Sequence, residues 1–328
     1  MAHFRLALTA AAMLLALCAE RATALDLNQI NGAELSATRP GKARAQIDPV
    51  LVKAQVLLDR AGFSPGEIDG RAGDNFKKAM AAFAAANDLD QEDRLTPAAW
   101  EKLKATSAEP VLIEYTIEEK DVRGPFLKKL PAKMEQMKTL NRLDYTSPVE
   151  ALAEKFHMSQ SLLKALNPRL SFDKAGEGIA VANVSNDPPD ARVAKIEIDK
   201  SKRELRALSK TGDLIMTAPA SIGSKEKPAP SGTHKVNAVT SNPTYKYNPE
   251  YAFKGVKTKK PFTIKPGPNN PVGVVWIALS VKGYGIHGTP EPSQVSKTQS
   301  HGCIRLTNWD AKKLAAMVSK GTAVAFLE

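Results

Sequence analysis

The sequence predicts a multidomain chain: a small α-helical bundle, then an α+β module, then a mainly β domain with one or two helices. Three observations carry this. Residues 48–103 hold three apolar stripes at helical spacing, each behind a capping residue or proline. Residues 111–186 run strand, helix, helix, strand. From 193 onward, short β-branched runs alternate with polar residues or cluster between turns, as in a meander. A length of 328 residues suits two or three such units, and an apolar content of 43% is ordinary for globular protein.

The chain opens "MAHFRLALTAAAMLLALCAERATALDLNQ", with Arg5, an apolar run from Leu6 to Ala19, and Ala22-Thr23-Ala24. A basic start, a short apolar core and a small-x-small site predict a signal peptide over 1–24. The run is shorter than the roughly 20 residues that span a bilayer, so the mature chain is expected to have no transmembrane segment. Bulky Leu17 before Cys18 argues against lipoprotein processing. Cleavage leaves one cysteine, Cys303, without an intramolecular disulfide partner. Exported compartments favour disulfides, so a lone thiol there points to chemistry.

The formal charge is +11. In an exported protein this suits an anionic polymer or surface such as cell wall. No zinc-finger spacing or RNA-binding aromatic motif is present, and nucleic acid is not an expected partner.

Residues 25–45 are polar and unpatterned, a linker. In "DPVLVKAQVLLDRAGF", Asp48 caps a helix with Pro49 at its first position. A turn-rich "SPGEIDGRAG" follows, and Asp74 is the expected cap of a helix with Phe76, Ala79, Met80 and Phe83 on one face. Thr96-Pro97 opens a third, with Trp100 and Leu103 inward. These make a unit over 46–106. In 111–186, Ser147 and Glu150 form a capping box, Ser159 caps a second helix, and Asn167-Pro168 stops it. "VLIEYTI" and "GIAVANV" flank these helices as strands, and His157 is expected on a helix surface. Residues 187–192 are a Pro/Asp linker. In 193–328, "AKIEIDK", "ELRALSK", "DLIMTAP", "VVWIALS", "YGIHG" and "TAVAFL" are strands, and Thr307 caps the clearest helix. Trp276 and Trp309 read as core.

Two segments of the last unit hold the chemistry: "GYGIHGTPEP" and "SHGCIRL". They bring His287, His301 and Cys303 within a short stretch of chain. A thiol nucleophile needs a base or cation to gain thiolate character, and an imidazole can take that proton and return it to a leaving amine. Gly302 would let backbone approach a substrate. Three readings fit: a Cys/His acyl-transfer site, a zinc site of two histidines and a cysteine with Glu291 as the nearest further ligand, and an inert cysteine. Spacing does not choose between His287 and His301 as the base.

"EIDGRAGDNFKKAMAAFAAANDLDQEDRLTPAAWEKL" resembles the peptidoglycan-binding domain found beside many wall enzymes, through Ile68, Asp69, Gly70, Gly73, Ala79, Phe83, Thr96, Trp100 and Leu103. Residues 111–186 resemble a LysM-like carbohydrate-binding module. A long insertion between "EYTI" and "DYTSP" departs from that compact pattern. Residues 193–328 resemble the YkuD-type L,D-transpeptidase catalytic domain, a β-sandwich or barrel. The signature is His287 followed by Ser300-His301-Gly302-Cys303-Ile304-Arg305. The upstream "PAPSGTHKV" matches at Pro230, Gly232 and Thr233, with Ala229 where the family often has Thr.

The resemblance implies that Cys303 is the nucleophile and His287 the base and acid, oriented by the carbonyl of Gly288. It implies that His301 and Gly302 shape the oxyanion region and that Ser300 and Arg305 support it. It further implies acyl transfer from a peptidoglycan stem tetrapeptide at the wall or in the periplasm, with no cofactor or metal. The acceptor would be a second stem (a 3-3 cross-link), water (an L,D-carboxypeptidase), or an amine of an outer-envelope protein. A non-catalytic wall-binding protein is the reading of another class. The lysine-rich stretch Lys254, Lys257, Lys259, Lys260 and Lys265 is expected either at the site mouth or as a solvated basic loop.

Overall fold

The computed structural model describes residues 26–36, 47–90, 94–224, 227–251, 256–300 and 302–328. The signal-peptide reading, Cys18, residues 25 and 37–45 of the linker, Lys254 and His301 lie outside them; within the rest of the linker, Leu27–Asn31 is a short helix whose Ile30 is fully buried.

The carboxyl-terminal part is built on a nine-stranded sheet. Its order is Leu214–Pro219, Glu204–Leu208, Lys195–Asp199, Ala323–Leu327, Gly232–Ser241, Val275–Leu279, Gly285–His287, Ile304–Arg305 and Ser221–Ile222. The two outermost strands are separated in the chain only by Ala220. The opposite margins of the sheet are therefore drawn together, and the sheet curls towards a barrel, which leaves little free strand edge. Alternation fixes which side faces in: Ile196 and Ile198 are fully buried, while Lys195, Glu197 and Asp199 between them are not. Helix Asn308–Met317 closes the interior with Ala311, Leu314 and Met317, and Thr307 caps it by accepting the Asp310 N–H at 3.1 Å.

The amino-terminal part packs helices Pro49–Arg60, Asp74–Ala86 and Pro97–Lys104 with helices Pro148–Lys155 and Gln160–Leu166 and the antiparallel pair Leu112–Thr116 with Gly178–Ala182. All share one apolar core that runs from Ile30 to Ala182. Asp48, Thr96 and Ser159 accept backbone N–H groups as caps. Asp74 does not cap: Gly73 holds that position without a side-chain bond, and Asp74 is the first helical residue, favourable at the positive end of the helix dipole. Half of the expected box forms at Ser147, whose hydroxyl accepts the Glu150 N–H at 3.2 Å; the Glu150 carboxylate reaches one residue further back, to the Thr146 N–H at 2.5 Å.

The two parts are joined by backbone. Ser64 donates its N–H to the Thr217 carbonyl at 3.0 Å, and Thr217 returns one to Gly62 at 2.8 Å. Beside this seam is a buried polar cluster that corrects the surface placement of His157. The ring is 1% exposed, stacks on Trp309 at 5.1 Å, and sets Nδ1 3.0 Å from Asp59 Oδ2. Its φ of 56° turns the chain directly after helix Pro148–Lys155, which swings the side chain inward. Spacing along a helix could not show this.

Asp59 and Asp310 share the cluster but not a charge state. Burial alone would raise Asp59, yet His157 and Lys313 outweigh it and hold it below the usual carboxylate range. Burial, reinforced by the neighbouring Asp59 charge, pushes Asp310 from 3.8 up to about 6 against its bonds from Thr307 and Ser64. The folded chain thus keeps a proton on Asp310 that the unfolded chain loses near pH 4. Stability from this group is full below that pH and is lost as pH rises to about 6. Glu67, raised to about 7 by burial and Asp69, adds slope of the same sign. In urea unfolding followed from pH 4 to 7, Asp310→Asn is expected to remove the part of the decline between 4 and 6. An unchanged decline would assign the slope elsewhere.

Candidate active site

His287 ends strand Gly285–His287, and Arg305 lies beside it in parallel register on strand Ile304–Arg305. Cys303 immediately precedes that strand. On the other side His287 pairs with Trp276, whose indole stacks on the imidazole at 5.6 Å and 20°. The strand end is pinned from below by the Leu306 N–H, which donates to the His287 carbonyl at 2.9 Å.

The imidazole is 5% exposed, and Nδ1 lies 2.6 Å from the Gly288 carbonyl oxygen. A carbonyl only accepts, so Nδ1 carries the proton in the neutral ring and Nε2 keeps its lone pair. Burial, then the Arg305 charge, hold the imidazolium pKa down to about 3 against the Gly288 contact. The ring is neutral across the physiological range.

Cys303 is half-buried. Its Sγ lies 3.9 Å from the Gly283 carbonyl, and the Gly285 N–H also reaches it. Burial pushes the thiol up, and the Gly285 N–H, Lys227 and Arg305 pull the other way without cancelling it. The resting pair is therefore a neutral thiol and a neutral imidazole. Ser300 is buried and donates its hydroxyl to the Cys303 carbonyl at 2.5 Å, fixing the turn. Gly302 has φ 97°, and a Cβ there would sit 2.9 Å from Tyr284 Cε1, so both conformation and space require glycine.

Cys303, His287, Ser300 and Arg305 line one cleft of about 850 Å³. Gly288 supports it from behind through His287, and Gly302 shapes the turn into Cys303. Trp276, expected in the core, instead forms part of the cleft wall. Trp309 is buried as expected, 4% exposed, but against His157. Lys133, Lys227 and Lys246 line the cleft, and among the described residues of the basic loop Val256 does so while Lys257, Lys259, Lys260 and Lys265 do not, in line with the solvated-loop reading. Sequence reasoning missed Asn308 as well. Its side chain accepts the Val274 N–H at 3.2 Å and donates to Glu154 at 2.9 Å. The only signal was its place in the first turn of a helix close after the cysteine. Among the described residues no group of three His, Cys, Asp or Glu stands close enough to hold a metal ion.

Residues 194–325 match the model of the L,D-transpeptidase catalytic domain, the YkuD family. The L,D-transpeptidase YkuD of Bacillus licheniformis is 30% identical over 179 residues, 54% of this chain and 92% of that protein. The chain belongs to the L,D-transpeptidase family. The L,D-transpeptidase YbiS of Escherichia coli is 30% identical over 192 residues, 56% of this chain and 61% of its own length. A solved L,D-transpeptidase from Mycobacterium smegmatis, 20% identical, covers 47% of this chain and 64% of its own, with a TM-score of 0.33. Membership implies acyltransferase chemistry on peptidoglycan, and the family match begins after the amino-terminal part. Among the described residues, no helix is long and apolar enough to cross a membrane.

The charge environment of the thiol is open to measurement. The rate of iodoacetamide alkylation at Cys303 is expected to rise with a midpoint above the ordinary cysteine value of about 8.5. Lys227→Ala removes a cation that favours thiolate, so the midpoint should move higher still. A midpoint below 8.5, or a downward shift in the variant, would contradict the neutral resting pair.

Proposed function

We propose that the chain is an exported peptidoglycan L,D-transpeptidase that forms 3-3 cross-links through a thioester on Cys303. The observation that carries this is the convergence of Cys303, a neutral His287 tethered at Nδ1 and Arg305 on one cleft. In this reading Cys303 Sγ attacks the carbonyl of the third residue of a stem tetrapeptide. Because the thiol is raised and the imidazole is lowered, an ion pair is unfavourable before attack. The thiol proton passes to His287 Nε2 as the S–C bond forms. His301 and Gly302 shape the space for the oxyanion, with Ser300 and Arg305 supporting. The imidazolium returns its proton to the departing D-alanine amine, and the thioester remains. The amine of a second stem then attacks, loses a proton to His287, and the thiol is restored. No metal or cofactor enters the scheme.

The acceptor sets the outcome. Water would make the chain an L,D-carboxypeptidase, and a protein amine would tether that protein to the wall. The basic charge and the leader sequence support an exported, wall-associated, periplasmic setting. We assign residues 46–106 as a peptidoglycan-binding domain and 111–186 as a LysM-like module that help hold glycan, with 193–328 as the catalytic domain.

Intact-protein mass spectrometry with purified disaccharide-tetrapeptide tests the scheme, with small products analysed in the same sample. A Cys303-dependent acyl-enzyme and cross-linked dimer are expected, both absent in Cys303→Ala. His287→Ala should remain folded and lose thioester formation by about 10²–10⁴-fold. Tripeptide without dimer would favour hydrolysis or a missing protein acceptor. Activity retained in His287→Ala but lost in His301→Ala would move the base to His301. A folded protein giving neither acyl-enzyme nor product would leave the non-catalytic wall-binding reading.

A further inference from the structure

The insertion between "EYTI" and "DYTSP" separates this chain from a compact LysM pattern. It reaches the catalytic cleft. Ala132, Lys133 and Met134 line the same space as Cys303, His287 and Arg305. We propose that this insertion is a wall of the substrate site, and that Lys133 on it binds a carboxylate of an acidic peptide substrate.

The wall is held by backbone. The Leu143 N–H donates to the Pro266 carbonyl at 2.9 Å, and the Leu143 carbonyl accepts the Asn269 N–H at 2.8 Å. The contact is close enough to require glycine between them: at Gly267, φ 145°, a Cβ would stand 2.2 Å from the Leu143 oxygen. Asn269 adds side-chain bonds at 2.9 Å to the Asp144 carbonyl and to the Glu150 carboxylate. Nearer the cleft, Glu135 accepts the Lys257 N–H at 2.7 Å. Lys257 follows Val256, itself a cleft residue, so the short helix Met134–Met137 is tied to the catalytic part at the rim.

The chemistry of the lining selects the ligand. Four cations face the cleft, Lys133, Lys227, Lys246 and Arg305, and no Asp or Glu among the described residues lines it. Such a space favours an anion. Val256, Val272, Met134 and Trp276 add apolar surface suited to peptide side chains. Lys133 is exposed, so its substitution leaves the fold intact and changes the charge at one edge. It acts on substrate binding and takes no part in bond making. Identifying the ligand as a stem peptide rests on the transpeptidase reading, whereas binding can be measured without turnover.

The test uses the full mature chain carrying Cys303→Ala, titrated calorimetrically with disaccharide-tetrapeptide and with the same ligand after its carboxylates are converted to carboxamides. Lys133→Glu is expected to weaken the acidic ligand about tenfold at low salt and Lys133→Ala about fivefold. Both effects should shrink at about 1 M salt and be absent for the carboxamide ligand. With Cys303 restored, KM should rise by the same factors while kcat stays within about twofold. Unchanged affinity in Lys133→Glu overturns the proposal. So does equal weakening of both ligands, which marks a structural effect, and so does failure of the acidic ligand to bind the Cys303→Ala chain. Carboxylate-dependent binding that falls in Lys133→Glu, in a chain whose wild type forms no acyl-enzyme, would uphold the site and reject the transpeptidase reading.

Discussion

The structure depends on the first turn of one helix, Thr307 to Asp310, whose four residues are polar or amphipathic and nearly inaccessible to water. Burying polar groups is costly unless they are paired, and the bonds and stacking of this turn reach several distant parts of the chain. Asn308 fixes Val274, two residues before Trp276 in the chain, and reaches both Pro268 and Glu154. Asp310 holds Ser64 and thereby the amino-terminal seam. Trp309 lies flat on His157. The turn sits a few residues after Cys303, so the loop that carries the thiol is anchored to the same points that join the two parts of the molecule.

That arrangement makes the cleft a joint product of both parts. The sheet supplies His287 and Arg305, on adjacent strands whose register leaves them little freedom. The insertion supplies an opposing wall. The first lies within the family match, residues 194–325. The second belongs to the region before it. The amino-terminal part thus bears on the site by contact as well as by any affinity for glycan.

Much of this was legible in the residues. Asp48, Thr96, Ser147, Ser159 and Thr307 announce helix starts because a side-chain oxygen there has a nearby orphan N–H to accept. Ile196 and Ile198 announce a strand by alternation. "SHGCIRL" with His287 announces a family through its resemblance to that family's signature. What escaped depended on contacts distant in sequence. His157 joins Asp59 across the core through a left-handed residue that no apolar period marks. Trp276 resembles any core tryptophan on a strand until its neighbour proves to be His287. Lys133 lies far from Cys303 in the chain, and a charged residue in an irregular insertion carries no local sign of what it faces. The placement of Asp74 one residue inside its helix is a smaller case: Gly73 satisfies the backbone geometry of a cap without a side chain.

The protonation state of Cys303 has a consequence for durability. Peroxide, glutathione disulfide and other oxidants consume thiolate far faster than thiol. Burial pushes the Cys303 thiol up, so it presents less thiolate to them than an ordinary cysteine does. In the proposed mechanism the sulfur becomes strongly nucleophilic only when a carbonyl is in place to receive it and His287 takes the proton. In that scheme, ageing of the resting protein and its turnover draw on different states of one atom. In the proposed exported setting, such a thiol is consumed more slowly than an ordinary one.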